Sequence, residues 1–196
     1  MGHHGKKLIQ NVWRKWIDDT PELMAEIYSQ DTNQDKFELS LFIKEGAELE
    51  SLNKDGESPL MIAAKCGYRE VCELLLEEGA KLGNRDRRKS LLVLAAKHGH
   101  KEVCELMLEK GLEVDEADEG GFRALMFASE GGYKRLCEFL IEKGAEIEAT
   151  NGDEGGARAL MLAANNGHKE VCELLIEKGA EIEAANGGGF RALMLA

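Results

Sequence analysis

The chain of 196 residues carries 37 acidic against 25 basic side chains, a formal net charge of −12. Nucleic-acid affinity rests on neutralising phosphates with Lys and Arg, so this balance argues against nucleic-acid binding and favours basic or mixed protein partners. Its longest stretch free of Asp, Glu, Lys and Arg covers ten residues, 159–168, against the roughly 20 that a membrane-spanning helix needs.

Taken in chain order, residues 1–36 read as an N-terminal helical cap segment. Leu8 to Ile17 is interrupted by Gln10, Asn11, Arg14 and Lys15, so no signal-peptide core forms. Met1-Gly2 begins like a myristoylation signal, but Lys6 stands where Ser or Thr is required. Trp13 and Trp16 among Lys6, Lys7, Arg14 and Lys15 fit a short interfacial helix. More often such a segment is a cap, its aromatics covering the open apolar side of the first unit, which a stacked array requires. Thr20-Pro21-Glu22 supplies an N-cap and a first-turn proline for a helix carrying Leu23, Met24, Ile27 and Tyr28. After a polar loop, Leu39, Leu41, Phe42 and Ile43 give the second helix of a divergent first unit.

From there the chain repeats. Gly46, Gly79, Gly111, Gly144 and Gly179 close five copies of one phrase, at spacings of 33, 32, 33 and 35. Ala63-Ala64, Ala95-Ala96, Ala128-Ser129 and Ala163-Ala164 keep the same register, followed by Gly67, Gly99, Gly132 and Gly167. Cysteine returns in phase as Cys72, Cys104, Cys137 and Cys172. Self-similarity at this period marks an array of small units, none of which can bury its own apolar face. Leu60, Met61, Ala63 and Ala64 are too few for an independent core, and their small alanines admit a neighbouring helix. Val71, Leu74, Leu75 and Leu76 follow helical spacing while Glu73, Glu77 and Glu78 face away. The second-helix glutamates read as a solvated face holding much of the acid. The stretches between, rich in Asp, Asn, Gly and Glu, are turn formers.

One unit, Asp55-Gly-Glu-Ser-Pro-Leu-Met-Ile-Ala-Ala-Lys-Cys-Gly-Tyr-Arg-Glu-Val-Cys-Glu-Leu-Leu-Leu-Glu-Glu-Gly-Ala80, closely resembles the ankyrin repeat. The resemblance spans roughly residues 37–196 and implies an all-α repeat solenoid of paired antiparallel helices with projecting β-hairpin loops. It places full repeats at about 52–84, 85–116, 117–149 and 150–184. A sixth unit, 185–196, stops midway through a first helix, an ending expected of a fragment. The family's opening Thr-Pro-Leu appears as Ser58-Pro59-Leu60 but becomes Arg123-Ala124, Arg158-Ala159 and Arg191-Ala192 later. Its His is replaced by Met61, Val93, Met126, Met161 and Met194, so a polar tie is lost and the later units are expected to be looser. The Asn that is hydroxylated in some members is Glu50, Gly83, Asp115, Glu148 and Glu183 here, which leaves that modification unsupported.

Partner-reading positions are sought where the units differ, at the finger tips and on the outward turns of first helices. They are Asp55, Glu57, Ile62 and Lys65; Arg87, Arg88 and Lys89; Leu94, Lys97 and His98; Phe122, Phe127 and Glu130; Leu162, Asn165 and Asn166. Arg85-Asp-Arg-Arg-Lys89 is a basic spot that reads equally as a clamp for an acidic motif or phosphate and as a solvated turn. Phe122 reads either as an anchor for a partner or as packing against an adjacent finger. His100 with Cys104, and His168 with Cys172, have metal-ligand spacing, yet the His recurs as Tyr68 and Tyr133, which favours a structural role. The in-phase cysteines read as small buried hydrophobes, Cys66 as the exposed exception. The glycine clusters 151–156 and 186–189 lack the spacing and following Lys of a phosphate loop.

The expected function is a protein-interaction scaffold or adaptor without chemistry of its own, using a concave face formed by fingers and first helices. No catalytic residue, metal or cofactor is expected, and the partner is a protein bound by a monomer. The alternative is the targeting arm of a larger enzyme, a kinase or ubiquitin-ligase component, whose catalytic part lies elsewhere. An odd number of cysteines without a secretory segment suggests an intracellular setting, chiefly cytoplasmic, with the nucleus open.

Overall fold

The computed structural model describes residues 48–82, 91–152 and 156–184. The chain divides into two compact units, Met1–Leu82 and Gly83–Ala196. The basic tip with Arg87, Arg88 and Lys89, the N-terminal segment and the sixth unit lie outside the described residues.

In the first unit, α1 (Pro59–Cys66) and α2 (Arg69–Glu77) form one helical hairpin. Ser58 caps α1, its hydroxyl accepting from the Met61 amide at 3.4 Å, and Pro59 occupies the first turn, where a missing N–H costs nothing. The second unit contains three more hairpins. They are α3 (Leu91–Lys97) with α4 (Lys101–Glu109), α5 (Ala124–Glu130) with α6 (Lys134–Glu142), and α7 (Ala159–Asn165) with α8 (Lys169–Glu177).

Both glycine columns stop helices by one device. After each first helix the chain turns left-handed at Gly67, Gly99, Gly132 and Gly167, with φ between 72° and 81°, a conformation glycine adopts without a Cβ clash. The next amide then reaches back, from Tyr68 to the Ala63 carbonyl at 3.0 Å and from Tyr133 to that of Ala128 at 2.9 Å. That closure satisfies carbonyls the helix end leaves over. The closing Gly-Ala of the phrase repeats the device, with Ala80 bonding Leu75 at 2.8 Å and Ala145 bonding Leu140 at 3.0 Å.

In the second unit α5 packs between α3 and α7, and α6 contacts both α4 and α8. The first-helix row is the more tightly joined of the two. Its seams hold the small residues, Ala95, Ala96, Ala128, Ser129 and Ala163, all fully buried. The core continues through Leu106, Met107, Leu136, Leu140 and Leu175. Cys72, Cys104 and Cys137 are buried in phase, whereas Cys172 and Cys66 are half-buried. Burial pushes the Cys72 and Cys104 thiols up to about 12 and Cys137 up to about 11. Such thiols are inert fillers.

Among the described residues no strand is present. The expected hairpin loops narrow, at the described tips, to tight turns closed by one or two backbone bonds, with Gly56 donating to Asn53 at 3.1 Å and Gly121 to Asp118 at 3.0 Å inside the first two. Asn53 donates to the Glu57 carbonyl at 2.9 Å, Asp118 to that of Phe122 at 2.9 Å, and Asn151 to that of Ala157 at 3.2 Å.

Candidate functional site

Each finger is held by a short polar side chain at its first corner. Asn53 Oδ1 accepts the Asp55 and Glu57 amides at 2.9 and 2.8 Å, and Asp118 Oδ1 accepts those of Gly120 and Phe122 at 3.0 and 2.9 Å. These are turns of the kind Asn and Asp form with their own following backbone. A second set of carboxylates ties one repeat to the next. Glu50 accepts the Lys81 amide at 3.0 Å, Asp115 the Glu146 amide at 3.1 Å, and Glu148 the Glu181 amide at 3.0 Å. In the second unit neighbouring fingers also touch, with the Gly152 amide 3.3 Å from the Gly120 carbonyl. A side chain at Gly121 would run into the Gly152 backbone, so this approach needs the glycine.

On the same side of the second unit three predicted residues meet. The Phe122 ring lies against Phe127 with centroids 5.2 Å apart, and the Lys97 ammonium sits 5.1 Å from the Phe127 centroid. Both rings remain half-buried, as do Leu94 and Leu162 on the adjoining first helices. The patch thus spans α3, α5 and α7. It offers two aromatic surfaces and a cation on a rigid row of helices.

The sequence model of the family described as ankyrin repeats (3 copies) matches residues 19–86, 82–151 and 125–196, most of the chain. The chain belongs to the ankyrin-repeat family. No curated protein matches it significantly. Ankyrin repeats are generally protein–protein interaction modules and typically non-catalytic. The match begins at residue 19, within the segment read as an N-terminal cap.

Not every predicted ankyrin contact position is presented for contact. Glu57 is only 5% exposed, and its carboxylate takes the Lys65 ammonium at 3.2 Å. Ile62 is 4% exposed. These two are packing and ion-pair residues, and Lys65 is partly spent on Glu57; Asp55 remains exposed at its tip. Lys97, His98, Glu130, Asn165 and Asn166 are exposed, although Asn166 bonds back to the Leu162 carbonyl at 2.8 Å and His98 stacks on His100 with ring centroids 6.2 Å apart. Phe122 packs on its own first helix at Phe127, an arrangement distinct from stacking on an adjacent finger.

Two of the turn rings, Tyr133 and His168, have a clear task. The Tyr133 ring covers Gly99 and the His168 ring covers Gly132, where an added Cβ would meet ring atoms at 2.7 and 2.5 Å. His168 Nε2 also contacts the Glu130 carbonyl at 2.9 Å. Each ring is therefore a spacer laid over the preceding repeat. Among the described residues no group of three or more His, Cys, Asp and Glu is arranged to hold a metal ion, and no helix is long and apolar enough to cross a membrane.

The later openings replace the local cap with longer ties. Arg123 has no capping role for α5 but donates to the Thr150 carbonyl at 3.1 Å, in the next finger. Arg158 Nε lies 3.2 Å from Glu148, the same carboxylate that holds the Glu181 amide. In place of the local cap stand an Arg123 hydrogen bond to the next finger and an Arg158 ion pair, while the buried Nε of neither arginine makes a hydrogen bond.

A shallow depression on the second helices, lined by Glu105, Leu108, Glu109, Phe139 and Lys143, is the alternative surface. Its aromatic is less accessible than Phe122 and Phe127. Lys101 and Lys143 place ammonium groups 5.2 and 5.5 Å from the Phe139 centroid, and the ring itself is buried.

Proposed function

We propose that this ankyrin array is a scaffold or adaptor that holds a partner protein on the finger side of its second unit. The observation that carries the reading is the joined patch of Phe122, Phe127 and Lys97, flanked by Leu94 and Leu162. Half-exposed aromatics, Phe included, are enriched at protein interfaces relative to the rest of the surface. The array supplies position and surface, and the reading assigns it no chemistry of its own. Free thiols throughout, three of them buried, support an intracellular setting.

The test is quantitative capture from cell extract by the chain and by a Phe122→Ala, Phe127→Ala double variant. A Glu102→Gln, Glu170→Gln variant on the second helices serves as the control. Partners retained by the control and depleted at least about tenfold by the double variant, at nearly unchanged thermal stability, support the reading. The same partners held equally by all three proteins would remove it.

A further inference from the structure

Acid is not spread evenly over the second unit. Residues 111–123, 144–152, 156–158 and 179–184, which make the fingers, carry nine Asp and Glu against two Arg. The second helices with their closing lysines, residues 101–110, 134–143 and 169–178, carry eight Glu against seven Lys and Arg. The second helices do hold much of the acid, as expected, but almost none of the excess. There the charges are paired at helical spacing, Lys101 with Glu105 at 2.7 Å, Lys134 with Glu138 at 3.8 Å and Lys169 with Glu173 at 3.6 Å. A solubilising surface would have no reason to leave the helices balanced and concentrate the excess on the fingers.

We propose that the finger face of the second unit captures an extended, Lys/Arg-rich segment of its partner. Apolar side chains of that segment seat against Phe122 and Phe127, and its cations lie along the acidic fingers. The proposal rests on the reading of this face as the partner surface and adds the partner's chemistry. Three features support it besides the charge count. Glu113, Glu116 and Glu146 are exposed on fingers whose backbones are pinned to one another, so they form a fixed negative edge. Of the two finger arginines, Arg123 is directed at the Thr150 carbonyl and Arg158 at Glu148. Lys97 over Phe127 shows that the aromatic face accepts an ammonium group, an attraction a partner's Lys or Arg would share.

The spacing of the face favours an extended occupant. Leu94, Phe127 and Leu162 hold equivalent positions on α3, α5 and α7. Packed helices lie about 10 Å apart, and an extended chain advances roughly 3.4 Å per residue, so every third residue of the segment meets a new repeat. Between those anchors the intervening side chains reach the fingers. Attraction of this kind speeds encounter and is weakened by salt.

The probe is a fluorescent peptide of about twelve residues with Leu at every third position and Lys or Arg between, beside a version with Glu in place of each cation. Binding is measured by anisotropy at low and physiological salt for three proteins. They are the unaltered chain, a finger triple variant (Glu113→Gln, Glu116→Gln, Glu146→Gln) and a helix triple variant of equal net charge (Glu102→Gln, Glu138→Gln, Glu170→Gln). The basic peptide should bind, the finger variant should lose about tenfold in affinity and the helix variant less than about twofold, with a marked salt dependence. Equal losses in both variants would reduce the effect to net charge and overturn the proposal. Failure of the basic peptide to bind, or preference for the acidic one, would also overturn it. The reading of the face itself stands or falls separately, on the phenylalanine double variant in the capture experiment.

Discussion

On α4, α6 and α8 the opening lysine meets a glutamate four residues later, and acid and base nearly cancel along the whole row. In the fingers of the same unit, Asp115 and Glu148 reach amides a repeat away, and Glu113, Glu116 and Glu146 stand exposed with little base beside them. The helix row closes its ion pairs within each turn. The finger row adds carboxylate bonds between repeats to those inside each turn, and leaves charge over. Architecture and recognition are thereby separated within one repeating phrase. Substitutions in the helical stack should cost stability, and substitutions at exposed finger positions should cost binding.

The largest separation is expected at alkaline pH. Cys72, Cys104 and Cys137 have folded-state values near 12, 12 and 11, raised from an ordinary value of 9.0 chiefly by burial. A buried neutral thiol contributes its full stability below the unfolded value and loses it as the pH climbs from there toward the folded value. Each thiol then removes about 1.4 kcal/mol per pH unit. Denaturant unfolding should therefore weaken steeply above pH about 9, and Cys137→Ala should flatten the slope, by less than about a third because Cys66, Cys172 and Tyr68 are raised by burial as well. An identical slope in that variant would show that the helix row does not hold its thiols in the neutral form.

A smaller effect distinguishes two glycines with the same backbone. Gly132 and Gly167 both have φ of 72°, but only at Gly132 would a methyl group meet a ring, that of His168. Gly167→Ala should lose about 1 to 2 kcal/mol for the left-handed conformation alone. Gly132→Ala should lose about 1 to 3 kcal/mol more for overpacking. Thermal melts of both variants decide this, and equal losses would mean that the His168 ring is not a spacer between repeats.

On the finger row, Asp115→Ala removes the acceptor of the Glu146 amide. We expect a loss of about 1 kcal/mol, measured by the same melts. Smallest of all, Glu105→Gln breaks an exposed pair with Lys101 and should change stability by less than about 0.5 kcal/mol. A larger loss at Glu105 than at Asp115 would invert the contrast between the two rows.

Much of the scaffold is legible in the chain itself, because its causes are local. Gly67, Gly99, Gly132 and Gly167 end helices through their own φ, and the in-phase Cys72, Cys104 and Cys137 follow from helical spacing alone. Bonds that cross repeats leave no such local mark. Glu50, Asp115 and Glu148 share a register that the period displays, yet the amides they hold lie 31 or 33 residues away. The burial of Glu57 likewise brings in Lys65, two helical turns along α1, and Ile62, which reads as an outward position, is only 4% exposed. Phe122 and Phe127 are five positions apart, a spacing that is not a helical neighbour pair, because the finger base and the first turn of α5 intervene. Such residues can be nominated from variability between units, but only packing decides which of them meet.

Amide hydrogen exchange with and without the basic peptide tests most directly whether the finger row is the reading surface. Protection should rise in residues 113–130 and leave α6 and α8 unchanged. Protection gained along α6 and α8, with the finger amides exchanging as before, would contradict it.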